Sequence, residues 1–245
     1  MDSKQPTPDR QEPDGLTMRL RYARSEPAIW LAHLDLMRTF ERSIRRAGLP
    51  VAYSKGFNPR PQLAFALPIG VGLATRDDYV DVSLTEPVAA PDLMTKLNRS
   101  LPAGLAILAA VPVSEQGPSL MSLIRAADYE LQGPGLAPAA RRLLALPAGT
   151  PWLTEKNSKG KMITVDIQPL LISLEIIAED RLLARVRAGS KENLRPDLLL
   201  AVLTSLGGLD PIAAGDTSVN RRRLLVADEA DPARLKSPLQ LPDEG

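Results

Sequence analysis

The sequence predicts an α+β protein, because segments that alternate apolar and polar residues lie between segments whose apolar residues recur at helical spacing. In the first half, these segments follow the order β-α-β-β-α-β, which is the order of the ferredoxin-like split βαβ unit. The second half has a similar order. We therefore predict an α+β fold with two ferredoxin-like (βαββαβ) halves, for which a degenerate duplication is one origin.

The first half contains the clearest periodicity. Residues 17–24 alternate like a strand, and residues 33–47 form an amphipathic helical pattern that ends at Gly48. The apolar stripe of this helix comprises Leu34, Met37, Phe40, Ile44 and Ala47. Further along, we predict extended segments at residues 50–54 and 62–67, strands at 78–84 and 104–113, and a short helix at 91–100.

The second half is divided by turn residues into shorter elements. We predict strands at residues 128–132, 152–156, 161–167, 170–178, 181–188 and 222–226, and helices at 137–146 and 196–206. The domain limits are then 16–114 and 119–227, joined near residues 114–119. Residues 1–15 and 228–245 are poor in apolar side chains, so we expect two disordered tails.

The composition excludes several classes of function. The 245 residues include 30 Lys plus Arg and 29 Asp plus Glu. The net charge of +1 is too small for the molecule as a whole to attract a polyanion or a membrane surface. Because Cys is absent and there is one His, thiolate zinc sites, iron–sulfur clusters, cysteine nucleophiles and multi-histidine metal sites are excluded. We predict no metal, no cofactor and no catalytic residue. An apolar run long enough for a membrane span is absent and the N-terminus is polar, which predicts a cytoplasmic protein.

The first predicted helix carries a concentrated positive charge. Successive helical residues advance by about 100°, which brings four arginines within a third of a turn of one another: Arg38, Arg42, Arg45 and Arg46. Lys55 and Arg60 follow in the next turn. Arginine forks bind phosphate bidentately and stack on bases, so this segment predicts an anion or RNA site. A solvated helix face, paired locally with Asp35 and Glu41, is the alternative.

The turn after this helix is unusually stiff. Pro59 and Pro61 fix φ, and Gly56 permits a positive φ before Phe57. The turn is therefore either a rigid binding loop or a simple connection with a buried Phe57. Its residues are Gly56, Phe57, Asn58 and Pro59.

Two further basic clusters occur in the second half. Lys156, Lys159 and Lys161 lie between predicted strands, where a hairpin loop could bind phosphate or serve only as a soluble turn. Arg221, Arg222 and Arg223 are adjacent in a strand, so at least one must face differently from its neighbours. Arg195, at the start of a predicted helix, is a further candidate for binding phosphate.

His33 and Asp35 begin the first helix. A His and an Asp two residues apart do not face each other on a helix, so a catalytic pair would have poor geometry. Capping or packing by His33 is the better interpretation, and Asp35 favours the positive helix N-terminus while pairing with Arg38.

The first half also resembles a known family. The segment AHLDLMRTFERSIRRAGLPVAYSKGFNPRPQLAFALPIGVGLATRDDYVDVSL resembles the radical S-adenosylmethionine (SAM)-linked protein family, a domain of unknown function. The similarity extends over about residues 17–226 through KNSKGKMITVDI and GSKENLRPDLLLAVL. The usual residue before the His is Ser in this family, whereas this chain has Ala32. The resemblance implies a partner, a cobalamin-binding-type radical SAM enzyme.

These observations lead to three hypotheses. The first is a non-catalytic accessory module that binds tRNA or rRNA for a radical SAM enzyme. The alternative is a protein-interaction subunit that docks and stabilises that enzyme without binding RNA. An enzyme acting on a phosphorylated small molecule, with Asp35, Asp81 or Lys55 as acid or base, is the third.

Overall fold

The computed structural model of the chain describes residues 16–113, 118–158, 160–228, 231 and 233–239. Strands and helices alternate along these residues, so the α+β prediction is confirmed. The predicted N-terminal tail, residues 1–15, lies outside the described part.

The elements of the first half lie within a few residues of their predicted positions. They are β1 (Leu16–Arg24), α1 (His33–Arg46), β2 (Leu63–Phe65), β3 (Ala74–Leu84), α2 (Ala90–Ser100) and β4 (Leu105–Val113). The predicted extended segment at 50–54 contributes only isolated bridges, from Val51 to Leu84 and from Tyr53 to Pro61.

Apart from a 3-10 turn at Gln168–Leu170, the second half contains every predicted element and three short additions. It comprises α3 (Leu120–Leu123), β5 (Ile124–Gln132), α4 (Leu136–Leu144), β6 (Leu153–Ser158), β7 (Lys161–Asp166), β8 (Leu171–Ala178), β9 (Arg181–Arg187), α5 (Pro196–Ser205), α6 (Pro211–Gly215), β10 (Ser218–Ala227) and β11 (Leu235–Lys236). The additions are α3, α6 and β11.

One sheet of nine strands extends through both halves. Its main path is β4-β1-β3-β10-β5-β9-β8, with β2 paired to β3 and β11 paired to β10. The order β4-β1-β3-β2 in the first half has the same form as β10-β5-β9-β8 in the second, and all pairs within these two sets are antiparallel. β3 and β10 pair in parallel, so the last long strand joins the halves. β6 and β7 form a separate hairpin.

Each half has its own cluster of buried side chains. In the first, Phe40 and Ile44 of α1 pack on Leu20 and Val80 of the sheet. In the second, α4 and α5 pack on β5 and β9. Leu73 contacts both clusters, so the two cores meet where β3 begins.

Two expectations differ from the structure. The predicted stripe of α1 includes Leu34, but this side chain is exposed and Leu36 is buried instead. The face of α1 that packs on the sheet is the one with Leu36, Phe40 and Ile44. The expected disordered tail at 228–245 contains β11 in its described part, and Leu239 is buried there. Pairing with β10 and burial of this leucine stabilise the segment.

None of the helices in the described ranges has both the length and the apolar composition needed to cross a bilayer.

Candidate nucleic-acid interface

The four arginines of α1 form one exposed surface, which we call the arginine face: Arg38, Arg42, Arg45 and Arg46. The opposite side of α1 is buried against the sheet, which fixes the direction of these side chains. Arg38 lies 3.5 Å from Asp35 in an exposed pair, and the Arg42 Nε donates to the Arg38 carbonyl. Among the described residues, Arg42 and Arg45 have no carboxylate partner, so their guanidinium groups are available to an anion.

The second helix extends this surface. The Arg46 Nη2 donates to the Ser100 carbonyl at the end of α2, over a distance of 2.5 Å. This bond ties the C-terminal ends of α1 and α2 together, and the exposed Arg99 is the chain neighbour of the Ser100 that Arg46 contacts. Arg46 is thus partly structural, and Arg99 is a basic residue that periodicity alone did not indicate, because its proximity depends on helix packing.

The stiff turn projects from the bridge between Tyr53 and Pro61. Hydrogen bonds close the turn, because the Ser54 N–H donates to the Arg60 carbonyl and the Arg60 N–H to the Ser54 hydroxyl. Gly56 adopts φ +134°, and Phe57 is fully exposed. The alternative of a buried Phe57 is therefore wrong. Lys55, Asn58 and Pro59 are exposed beside it.

Arg60 does not join the arginine face. It lines a cavity with Arg19 and Asp81, which form an ion pair of 2.8 Å. These side chains alternate with Leu20 and Val80, which pack under α1, so they lie on the opposite side of the sheet. The sequence spacing suggested a single basic segment, but the strands separate its two ends.

The hairpin of β6 and β7 brings Lys156 close to Arg195, although they are distant in the sequence. Together with Lys191 they line a cavity of about 310 Å³, which we call the hairpin pocket. The rest of its wall is Asn, Ser, Gly and Leu, and no carboxylate lines it among the described residues. Arg195 forms an ion pair of 2.7 Å with Asp197, which does not itself line the pocket. This arrangement can accept one phosphate or carboxylate group.

Gly189 shapes the wall of the hairpin pocket. It has φ +135°, and a Cβ at this position would lie 2.5 Å from the Ile124 carbonyl oxygen. Only glycine fits this close approach, which sets the path of the segment that carries Lys191. Lys161 is exposed on β7 but does not line the pocket, and Lys159 lies outside the described residues.

The three adjacent arginines of β10 face in different directions, as expected. Arg221 is buried, whereas Arg222 and Arg223 are exposed and pair with Glu130 and Asp128. A bulge in the pairing with β5 at this point separates their directions further.

Buried Arg221 is part of an internal polar cluster. It forms an ion pair with Asp78 of β3, and it donates to the Leu67 carbonyl at 3.1 Å. Burial acts against its charge, but Asp78 together with Tyr129 and Tyr22 more than offsets burial, so the pKa of Arg221 lies above its usual value. Arg24 is also fully buried and donates to the carbonyls of Ala28, Ile29 and Leu31.

His33 lies at the edge of this cluster. Its ring contacts Phe65 edge to face, with 5.6 Å between centroids, and its Nδ1 is buried without a hydrogen-bond partner among the described residues. Burial lowers the pKa of His33, and among its charged neighbours Asp78 opposes this effect while Arg221 and Arg24 add to it. This environment favours a neutral packing residue. Asp35 points to solvent beside Arg38.

The sequence profile of a bacterial family, described as "Uncharacterized protein conserved in bacteria (DUF2344)", matches residues 17–196. The match covers well over half of the chain. The protein belongs to the DUF2344 family. No curated protein matches the chain. The expected membership in a family of unknown function is confirmed, and the matched range ends at the first turn of α5, earlier than residue 226.

The DUF2344 match covers the arginine face and the three cationic residues of the hairpin pocket, and it leaves β10 outside. Across the part of the chain described by the structure, no group of three His, Asp or Glu side chains could hold a metal ion. The chemistry that these surfaces offer is the binding of anions by arginine and lysine.

Proposed function

We propose that this DUF2344 protein is a non-catalytic RNA-binding module. The observation that carries the proposal is the arginine face, where Arg42 and Arg45 are exposed without a carboxylate partner among the described residues. An exposed arginine that is already paired gains little from an RNA phosphate, because it must exchange one anion for another. Unpaired guanidinium groups on a rigid helix avoid that exchange.

The surroundings of the arginine face favour recognition of the RNA backbone over recognition of bases. Aromatic residues make up 4% of the chain, and Phe57 and Tyr53 are the exposed aromatics of the neighbouring turn. Sequence-specific RNA recognition relies on stacking of splayed bases on such rings. Phosphate contacts dominate here, so affinity should depend strongly on salt.

The test is equilibrium binding of total tRNA and of an rRNA fragment to the wild-type protein and to Arg42→Glu plus Arg45→Glu. These two positions are chosen because Arg46 also bonds to α2, so its substitution would disturb packing. We expect a loss of at least about 100-fold in affinity, since two attractive phosphate contacts become repulsive. Arg181→Glu is the matched control, because Arg181 is also exposed, and it lies on β9, distant in the sheet order from the strands under α1.

The proposal predicts unchanged RNA affinity in the Arg181 variant and a smaller salt dependence in the double variant. Equal affinity of the wild type and the double variant would contradict it. A thermal unfolding curve of each variant verifies that the fold is intact.

We further propose that the RNA-bound module serves a cobalamin-binding-type radical SAM enzyme. This step rests on the resemblance of the first half to the radical SAM-linked family. With no Cys, the chain itself cannot ligate the required iron–sulfur cluster, so its role would be to present RNA. The matching strand orders of the two halves support an interpretation as two ferredoxin-like units.

The alternative function, docking of the radical SAM enzyme without RNA, is favoured by one observation. A groove of about 880 Å³ lies between the halves, and Trp30 and Val71 on its wall are exposed. Exposed tryptophan is frequent at the centre of protein interfaces. Under this alternative, co-purification with the enzyme would survive nuclease and high salt and would be lost in Trp30→Ala.

A further inference from the structure

A second cavity lies on the side of the sheet opposite α1. It has a volume of about 700 Å³ and is lined by residues of β1, β3, β4, β10 and β11. Arg21 marks its side of the sheet, since it alternates with Leu20 and Tyr22, which pack against α1. Cavities of roughly 300–1,000 Å³ are typical of sites for small molecules.

Five cationic side chains line this space, which we call the cationic cavity: Arg21, Arg76, Arg222, Arg223 and Lys236. Asp77 is the one carboxylate on the wall among the described residues. In a chain with a net charge of +1, such a concentration is a local feature that needs an explanation.

Neighbouring carboxylates neutralise the cations only in part. Arg222 pairs with Glu130 at 2.7 Å, and Lys236 lies 3.5 Å from Asp228. Asp128 is shared, because it pairs with Arg223 at 3.0 Å and with Arg185 at 2.7 Å.

The remaining two cations are the least compensated. Arg21 reaches Asp77 only at 4.0 Å, and Arg76 is exposed and makes no ion pair with any described residue. The cavity therefore keeps an excess of positive charge.

Two buried polar atoms on the wall lack a hydrogen-bond partner within the described structure. They are the Nε of Arg21 and the Oδ1 of Asn220. A buried donor or acceptor without a partner is unfavourable, so a native protein satisfies it with water or a ligand. The Arg21 Nε requires an acceptor, such as an oxygen of an anion.

The other part of the wall is aliphatic. It consists of Leu108, Leu224, Leu225 and Leu235. A site for inorganic phosphate alone would not need this surface, whereas a ligand that combines oxyanions with a ring would contact both parts. Guanidinium groups also stack on planar rings.

We propose that the cationic cavity binds a small organic phosphate with two or more negative charges, of the nucleoside diphosphate type. The same chemistry has two sources, a free nucleotide and the phosphorylated end of an RNA chain. This inference does not depend on RNA binding by the arginine face, which lies across the sheet.

The test is calorimetric titration of the full chain with ADP, with pyrophosphate and with adenosine. We expect ADP to bind with a Kd below about 1 mM, pyrophosphate to bind more weakly, and adenosine to show no heat of binding. Because Arg76 has no carboxylate partner among the described residues, Arg76→Gln leaves no buried anion behind, and it should weaken ADP binding about 10-fold. Arg181→Gln, at an exposed position of β9, should leave it unchanged.

The outcomes separate this site from the proposed function. ADP binding that persists in Arg42→Glu plus Arg45→Glu supports a separate site, and competition by a 5′-phosphorylated but not a 5′-hydroxyl oligonucleotide would identify the RNA end as the source. If that oligonucleotide does not compete, a free nucleotide is the ligand. Absence of ADP and pyrophosphate binding at millimolar concentration, or equal affinity for ADP and adenosine, would overturn the proposal.

Discussion

Asp78 is the carboxylate that interacts with both Arg221 and Arg24 in the internal polar cluster. All three side chains are buried. We predict that Asp78→Asn lowers the free energy of unfolding by about 3–5 kcal/mol, because two buried guanidinium groups lose their counter-charge. Asp35→Asn is the matched control. Asp35 is exposed and, within the described part of the chain, its one ion pair is with Arg38, so its loss should cost less than about 1 kcal/mol. Urea denaturation measures both values, and equal losses would contradict the role of the cluster.

His33 should make stability depend on pH. Burial lowers its pKa in the folded protein, with Arg24 and Arg221 adding to this and Asp78 opposing it, so below the ordinary value of 6.5 the unfolded chain binds more protons than the folded one. The stability that depends on a neutral His33 is therefore fully present above that value. It is lost as the pH falls from there toward the lower pKa of His33 in the folded protein.

NMR titration checks this directly, because the chain has one His. The imidazole should titrate below its usual range, and His33→Gln should flatten the stability profile between about pH 7.5 and 5.5. An unshifted titration would refute the prediction.

For single residues, the sequence indicated which charged side chains are candidates for binding, but not which side chains they contact. The exposed arginines of α1 followed from helical spacing. The burial of Arg221 against Asp78 could not be predicted, because these residues are distant in the chain and meet only through the pairing of β10 with β3. The cationic cavity was missed for the same reason, since its cations come from four separate strands.

Among the elements, those with strong periodicity were predicted within a few residues. Strands such as β9 and helices such as α5 have apolar patterns and turn residues at their ends, so local sequence suffices. The short elements α3, α6 and β11 were not predicted, because four, five and two residues are too few to establish a period. The rotation of α1, which buries Leu36 in place of Leu34, depends on the shape of the sheet beneath it.

Element packing also decides which basic residues can act together. Lys156 and Arg195 both stood out in the sequence, but their common pocket depends on the hairpin of β6 and β7 packing beside α5. Arg60 stood out with the arginines of α1 and is separated from them by the sheet. Spacing along the chain therefore does not show which of the candidate residues lie together.

For the whole molecule, the continuous sheet predicts cooperative unfolding. β10 pairs with β3 of the first half and with β5 of the second, and the Arg221–Asp78 pair crosses the same boundary. We expect one calorimetric transition, with equal calorimetric and van't Hoff enthalpies. A chain ending at residue 216 should lose structure in both halves, since each loses a neighbouring strand. Two separate transitions in the full chain would contradict this prediction.

The central claim is that the arginine face binds RNA, and crosslinking in the native cells tests it most directly. The wild-type protein and the Arg42→Glu plus Arg45→Glu variant are crosslinked and purified, and the attached RNA is sequenced. We predict one enriched tRNA or rRNA region that is lost in the variant. Protein partners recovered from both forms without enriched RNA would contradict the claim and make the arginine face a docking surface.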